Sequence, residues 1–235
     1  MRPVLESLDV DFVTELYRTH AADLKNVRVA QRTIAGGPAM KAKLDDVEAE
    51  LTYLLIRHFR PELVTEVGTF HGWSTTWILQ ALRDNGSGRL ASYDLIDNAV
   101  RAVPPELAKD RWDFHHGDVR ERDDDWAAKT DYLFIDAAHT ASFARWYLAN
   151  LLPAVPAGIP VSVHDVFHRR RPLPFTEGVE VLRWLDGRGI RYFTAAPARA
   201  REVYRRLNEV RTELGLTQPV HTGTDNPMLF FINPT

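Results

Sequence analysis

An α/β fold, with a mostly parallel sheet behind an N-terminal helical cap, is what the sequence predicts. Two observations carry that expectation. From Leu63 onward, short apolar runs rich in β-branched and aromatic residues alternate with stretches of helical periodicity, as strands joined by crossover helices do. Before Leu63 the chain reads as helix alone. With 235 residues, 45% of them hydrophobic and 26% charged, the chain can bury a full core, and no low-complexity linker divides it. One domain with decorations is expected, residues 1–60 forming a cap that belongs to the same domain as the sheet at 61–235.

Composition narrows the function classes. A formal charge of -3 at pH 7 and a pI near 6.3 give no electrostatic footprint for nucleic acid, although Arg169–Arg171 form a small basic cluster. There is no cysteine, so disulfides, thiolate catalysis and Cys-ligated zinc are excluded. The N-terminus carries acids among its apolar residues, unlike a signal peptide, and no run approaches membrane-spanning length. The expectation is a soluble cytoplasmic protein with neither a membrane nor a nucleic-acid partner.

Taking the elements in order, Asp9 to about Ile34 reads as one helix, which Ala35-Gly36-Gly37-Pro38 breaks. The next helix places Leu44, Val47, Leu51, Leu54 and Leu55 on one face, and Pro61 stops it. These helices could serve as a lid or as the surface of a homo-oligomer. The strand candidates are "LVTEV", "RLASYDL", "WDFHHG", "DYLFID", "PVSVHDV", "IRYFTA" and "MLFFIN", with the helical "ARAREVYRRLNEVRTEL" before the last.

In a parallel sheet, ligands collect beyond the carboxyl ends of the strands. The first candidate strand ends in Glu66, then Gly68-Thr69-Phe70-His71-Gly72 turns the chain into a helix that Ser74 or Thr75 is placed to cap. The spacing is neither the three-glycine dinucleotide fingerprint nor a phosphate loop. The second strand ends at Asp94, an acid suited to ribose hydroxyls. The third runs into Gly117-Asp118, where the carboxylate can accept from an adenine amino group while Val119 packs on the ring. Each acid alone could cap a turn; three ending successive strands describe a nucleoside pocket.

These segments, in this order, resemble the class I S-adenosylmethionine-dependent methyltransferases: "EVGTFHGWST" their first motif, "YDLID" the ribose-binding acid, "HHGDV" the adenine segment and "DYLFIDAAH" the strand-four motif. The resemblance spans roughly Leu63 to Val166. It implies a Rossmann-like, seven-stranded sheet with helices on both faces, whose last strand in sequence is antiparallel and penultimate in space. It also implies that Glu66 and the Gly68–Gly72 backbone hold the methionine portion of S-adenosylmethionine, Asp94 the ribose and Asp118 the adenine.

The fourth and fifth strands end in "FIDAAHT" and "VSVHDVFH", which bring Asp136, His139, His164 and Asp165 to neighbouring strand ends, with His168 beyond. Asp136, His164 and Asp165 are candidate ligands of one divalent cation, magnesium or manganese if carboxylates dominate. The alternative is a hydrogen-bond network that fixes the two loops. The arrangement resembles metal-dependent small-molecule O-methyltransferases that tailor sugars and other natural products, with His164 where those enzymes carry an acid or a neutral oxygen ligand. The resemblance implies a small-molecule acceptor and His139 as the base that takes its hydroxyl proton. Asp123–Asp125 read as a solvated turn, and Arg169–Glu180 as a rigid loop suited to setting specificity. The competing readings are a nicotinamide-dependent oxidoreductase, against which the glycine spacing argues, and a noncatalytic partner-binding domain on the same fold.

Overall fold

The computed structural model describes residues 8–122, 125–167, 170–223 and 225–234. Asp123, Asp124, His168 and Arg169 lie outside the described residues. Helix α1 (Val10–Thr19) is capped by the Asp9 carboxylate, which accepts from the Phe12 N–H at 2.8 Å. The single helix expected here is two: the backbone leaves helical geometry at His20, and α2 (Ala21–Ala35) begins after it. The break is invisible in apolar periodicity, which continues through it. Helix α3 (Asp46–Phe59) opens with a reciprocal capping box between Asp45 and Glu48 and is buried from Asp46 to Ile56.

A buried ionic cluster ties these helices to the far end of the chain. Glu50 on α3 is wholly buried and accepts from Tyr17 Oη at 2.9 Å, from Arg28, and from Arg211 Nε at 2.8 Å, where Arg211 belongs to helix α11 (Arg201–Glu213). Asp46 adds acceptors for Arg28 and Arg211 and for the backbone N–H groups of Val220 and His221. Charges removed from water need such complete pairing.

All seven predicted strands form: β1 (Leu63–Val67), β2 (Arg89–Asp94), β3 (Trp112–His116), β4 (Tyr132–Ile135), β5 (Pro160–Val163), β6 (Tyr192–Phe193) and β7 (Leu229–Ile232). They make one sheet in the order β3-β2-β1-β4-β5-β7-β6, with β7 antiparallel to both its neighbours and the other pairings parallel. Alternation along the strands splits the core in two. Val64, Leu90, Tyr132 and Phe134 pack with α1–α3 and with α4 (Trp73–Asn85) on one face. Val67, Leu133, Ile135, Val161 and Val163 pack with Phe143, Tyr147 and Leu185 on the other. Short helices α5 (Asn98–Ala102), α6 (Pro105–Ala108) and α7 (Trp126–Lys129) fill the first connections. The path from β4 to β5 uses α8 (Ala141–Trp146), a π-helical turn (Tyr147–Leu151) and α9 (Leu152–Ala154), and α10 (Glu177–Gly187) precedes β6. No helix among the described residues is long and apolar enough to cross a membrane.

Arg28→Ala should lower the unfolding free energy by about 3 kcal/mol, the lower end of what breaking a buried pair costs, because Arg211 still faces Glu50. Denaturant unfolding measures it. A loss below about 1 kcal/mol would mean that the cluster does not hold the cap in place.

Candidate active site

The turn after β1 is held from three sides. Gly68 has φ +90, and a Cβ there would stand 1.9 Å from the carbonyl oxygen of Asp136, so no other residue lets the ends of β1 and β4 come this close. The Gly68 N–H donates to Tyr93 O at 2.8 Å, while the Asp136 N–H donates to Val67 O at 2.8 Å. Asp94 then gathers the next donors: its Oδ2 accepts from the Thr69 N–H at 2.6 Å, Thr69 Oγ1 at 2.9 Å and the Phe70 N–H at 2.8 Å. Its Oδ1 accepts from the Ile96 N–H at 3.1 Å and keeps a lone pair toward the cavity that Asp94 lines. The expected ribose acid is thus also the clamp of the glycine turn.

Ser74 and Thr75 do not cap α4. That helix starts at Trp73 behind Gly72, which has φ +80 and no side-chain cap. The two hydroxyls instead donate to Glu66, Ser74 Oγ at 2.5 Å and Thr75 Oγ1 at 2.8 Å, joined by Ser92 Oγ at 2.7 Å. Glu66 is wholly buried and lies outside the cavity lining, as do Thr69, Gly72 and Ser74. Burial raises its carboxyl to about 7, with the three hydroxyl donors opposing the rise. The acid expected against a ligand therefore braces the turn from beneath.

A cavity of about 700 Å³ opens at the carboxyl ends of β1, β2 and β4, a volume suited to a small ligand. One end is lined by Gly68, Phe70, Asp94, Asp118 and Val119. Asp118 is held well inside the carboxylate range by Arg120, whose guanidinium Nε lies 2.9 Å from both its oxygens, so a ligand amino group meets a carboxylate already paired. Lys43, from the segment between α2 and α3, also lines the cavity and stands over the Phe70 ring at 5.5 Å.

The other end gathers Asp136, His139, His164 and Asp165. His139 has φ +48, and its Nδ1 lies 3.1 Å from Oε2 of Glu177, a carboxylate 1% exposed at the start of α10. Its Nε2 faces Asp136 Oδ1 and Asp165 Oδ2, each at 3.4 Å. Burial works to lower the pKa of His139, but the Glu177 hydrogen bond and the charges of Asp136 and Asp165 outweigh it and raise the group above 6.5. His164 is more strongly placed. Burial again opposes the charge, yet Asp136, at 3.1 Å from Nδ1, and Glu48 of α3, at 3.5 Å from Nε2, raise it well above its ordinary value. For Asp136, the neighbouring imidazoles overcome burial and hold the carboxyl below its usual value.

This donor set does not fit the divalent cation expected from Asp136, His164 and Asp165. The three side chains converge, with His164 Nδ1 3.5 Å from Asp165 Oδ1, but both ring nitrogens of His164 are turned to carboxylates, Nδ1 to Asp136 and Nε2 to Glu48, so both positions that could ligate a metal are already engaged. Those same carboxylates favour the charged form of the imidazole. Among the described residues, no group of three or more His, Asp or Glu side chains has an arrangement that could hold a metal ion.

Three residues of the site were not singled out in the sequence. Lys43 and Glu48 come from the cap, where Glu48 also closes the capping box of α3. Glu177 carries a partial signal, because it lies in the proline-bounded loop expected to set specificity.

A family model described as a methyltransferase domain matches residues 65–166. No curated protein matches in sequence. Among solved structures the chain is similar to the O-methyltransferase from Bacillus cereus in complex with SAH, at 14% identity and TM-score 0.53, covering 96% of this chain and 100% of that one. It is similar to TomG from Streptomyces achromogenes, an O-methyltransferase involved in tomaymycin synthesis and solved with SAM, at 17% identity, TM-score 0.51 and 89% coverage of each chain. Cofactor-bound Rv0187 from MTB matches at 16% identity, TM-score 0.55 and 91% coverage of each. These likenesses show the fold, a Rossmann-like seven-stranded sheet. Residues 65–166 are thus similar to a methyltransferase domain, and they span the sheet from β1 to the end of β5.

Proposed function

We propose that this domain is an O-methyltransferase that moves the methyl group of S-adenosylmethionine onto a hydroxyl of a small molecule in natural-product or sugar tailoring. One observation carries the reading: a single cavity has strand-end acids at one end and, at the other, a histidine whose Nδ1 is fixed by a buried carboxylate. The complexes of the B. cereus protein with SAH and of TomG with SAM support the donor, and TomG's part in tomaymycin synthesis supports the acceptor class.

In this reading Asp94 accepts from the ribose hydroxyls through Oδ1, Asp118 accepts from the adenine amino group while Val119 packs on the ring, and the backbone from Gly68 to Phe70 lies along the methionine portion, with Asp136 at its end. Glu66, Thr69, Gly72 and Ser74 act indirectly by holding the turn. When bound, S-adenosylmethionine supplies an electrophilic methyl on a sulfonium sulfur that departs as a thioether. The chain's own part is alignment and proton removal. Glu177 holds a proton on Nδ1 of His139, so Nε2 is the nitrogen that takes the acceptor's hydroxyl proton once it has shed its own. His164 stays charged, balancing Asp136 and Glu48. No step passes through a divalent cation. In this reading the cap belongs to the same domain, with Lys43 lining the cavity and Glu48 facing His164 behind it.

Asp94→Ala should weaken S-adenosylhomocysteine binding by about tenfold or more, whereas His139→Ala should leave it nearly intact and lower turnover by about 10²–10⁴-fold. Equal loss of donor affinity in both variants would sink this division of labour. Glu177→Gln removes a contact that raises the His139 pKa, so the acidic limb of the pH–rate profile should move to lower pH, the neutral imidazole persisting further into acid. An unmoved limb would show that His139 is not the titrating base.

A further inference from the structure

A second cavity, of about 740 Å³, adjoins the first. Thr140 and Ser142 line both, and His139 immediately precedes that shared wall, so a molecule seated in the second cavity lies next to the base proposed for methyl transfer. Its other walls are Arg145 of α8, Glu180 and Arg183 of α10, and the loop that carries Pro172, Pro174 and Phe175.

Charge and apolar surface in this cavity are both unbalanced. Arg145 Nη1 and Arg183 Nη1 share the one carboxylate of Glu180, at 3.1 and 3.0 Å, so two cations face one anion. Arg170 and Arg171, which lead into the loop, have no acidic partner among the described residues. The positive charge gathers here although the whole chain carries -3. Guanidinium groups with unused donors suit the paired oxygens of a carboxylate. Phe175 is 92% exposed, in a loop stiffened by flanking prolines, and Leu173 is 50% exposed beside it. An aromatic ring held open to solvent next to the arginines offers a stacking face to a flat apolar ligand.

Resting on the methyl-transfer reading, we infer that the acceptor is a hydroxylated aromatic carboxylic acid. Its ring lies against Phe175, its carboxylate meets Arg145 and Arg183, and its hydroxyl reaches past Thr140 toward His139. The acid group sets specificity, because a neutral analogue leaves the two arginines with only the single carboxylate of Glu180 between them.

The test is calorimetric titration of the protein saturated with S-adenosylhomocysteine, using 3,4-dihydroxybenzoate, 3,4-dihydroxycinnamate and 1-hydroxy-2-naphthoate, each paired with its methyl ester. At least one acid should bind about threefold or more tightly than its ester, the scale of a charge pair open to solvent, as the Arg145 and Arg183 side chains are at 62% and 69% exposure. That preference should vanish in an Arg145→Gln/Arg183→Gln variant, and Phe175→Ala should weaken acid and ester alike. S-adenosylhomocysteine affinity should be unchanged in both variants, which checks that they fold. Esters binding as well as acids, a preference that survives the double substitution, or no acid in the set binding would each overturn the inference. Failure of the wild-type protein to bind S-adenosylhomocysteine would instead overturn the methyl-transfer reading beneath it.

Discussion

At position 68 the chain has no room for a side chain, because a Cβ would press on the carbonyl oxygen of Asp136 at 1.9 Å. That approach between the ends of β1 and β4 decides the rest of the site. It puts the glycine turn beside the acid that ends β4, and so the cavity of about 700 Å³ beside the imidazoles that follow. Glu66 below and Asp94 beside the turn hold it there, one through three hydroxyls and the other through two backbone N–H groups and a hydroxyl. A carboxylate that fixes a loop and still presents a lone pair to the cavity couples the shape of the turn to occupation of the site.

The opposite end of the cavity depends on electrostatic balance. Two imidazoles stand among four carboxylates, those of Glu48, Asp136, Asp165 and Glu177, and both have raised pKa values despite burial. Their environments differ in what they leave free. His164 is enclosed between Asp136 and Glu48, whose charges favour its cationic form. His139 is 36% exposed at its side chain and lines the cavity, with only one nitrogen committed to a wholly buried acid. The cap contributes to this balance through Glu48, and it is itself held by the Glu50 cluster that α11 completes.

Much of this was legible in the sequence. The seven strands follow from short apolar runs, and Asp94, Asp118, Asp136, His139, His164 and Asp165 line the cavity because strand ends were the right place to look. Glu66 was misread for a reason of geometry: alternation puts it on the face of Val64, toward α4, and not toward the cavity. The break at His20 leaves no mark on apolar periodicity. Glu48 and Glu177 meet their histidines only after the chain has folded, so spacing could not reveal them. Residue types suggested a metal, but both ring nitrogens of His164 already face carboxylates, one of them from a helix that the sequence does not place beside it.

The most direct measurement is calorimetric titration of chelator-treated protein with S-adenosylhomocysteine, with and without added magnesium. Saturable binding of the same affinity in both conditions is the predicted result, since the donor cavity is built from strand ends and the imidazolium network requires no cation. Absence of binding in either condition would contradict methyl transfer itself, and binding that appears only with magnesium would contradict the assignment of His164 as the resident charge.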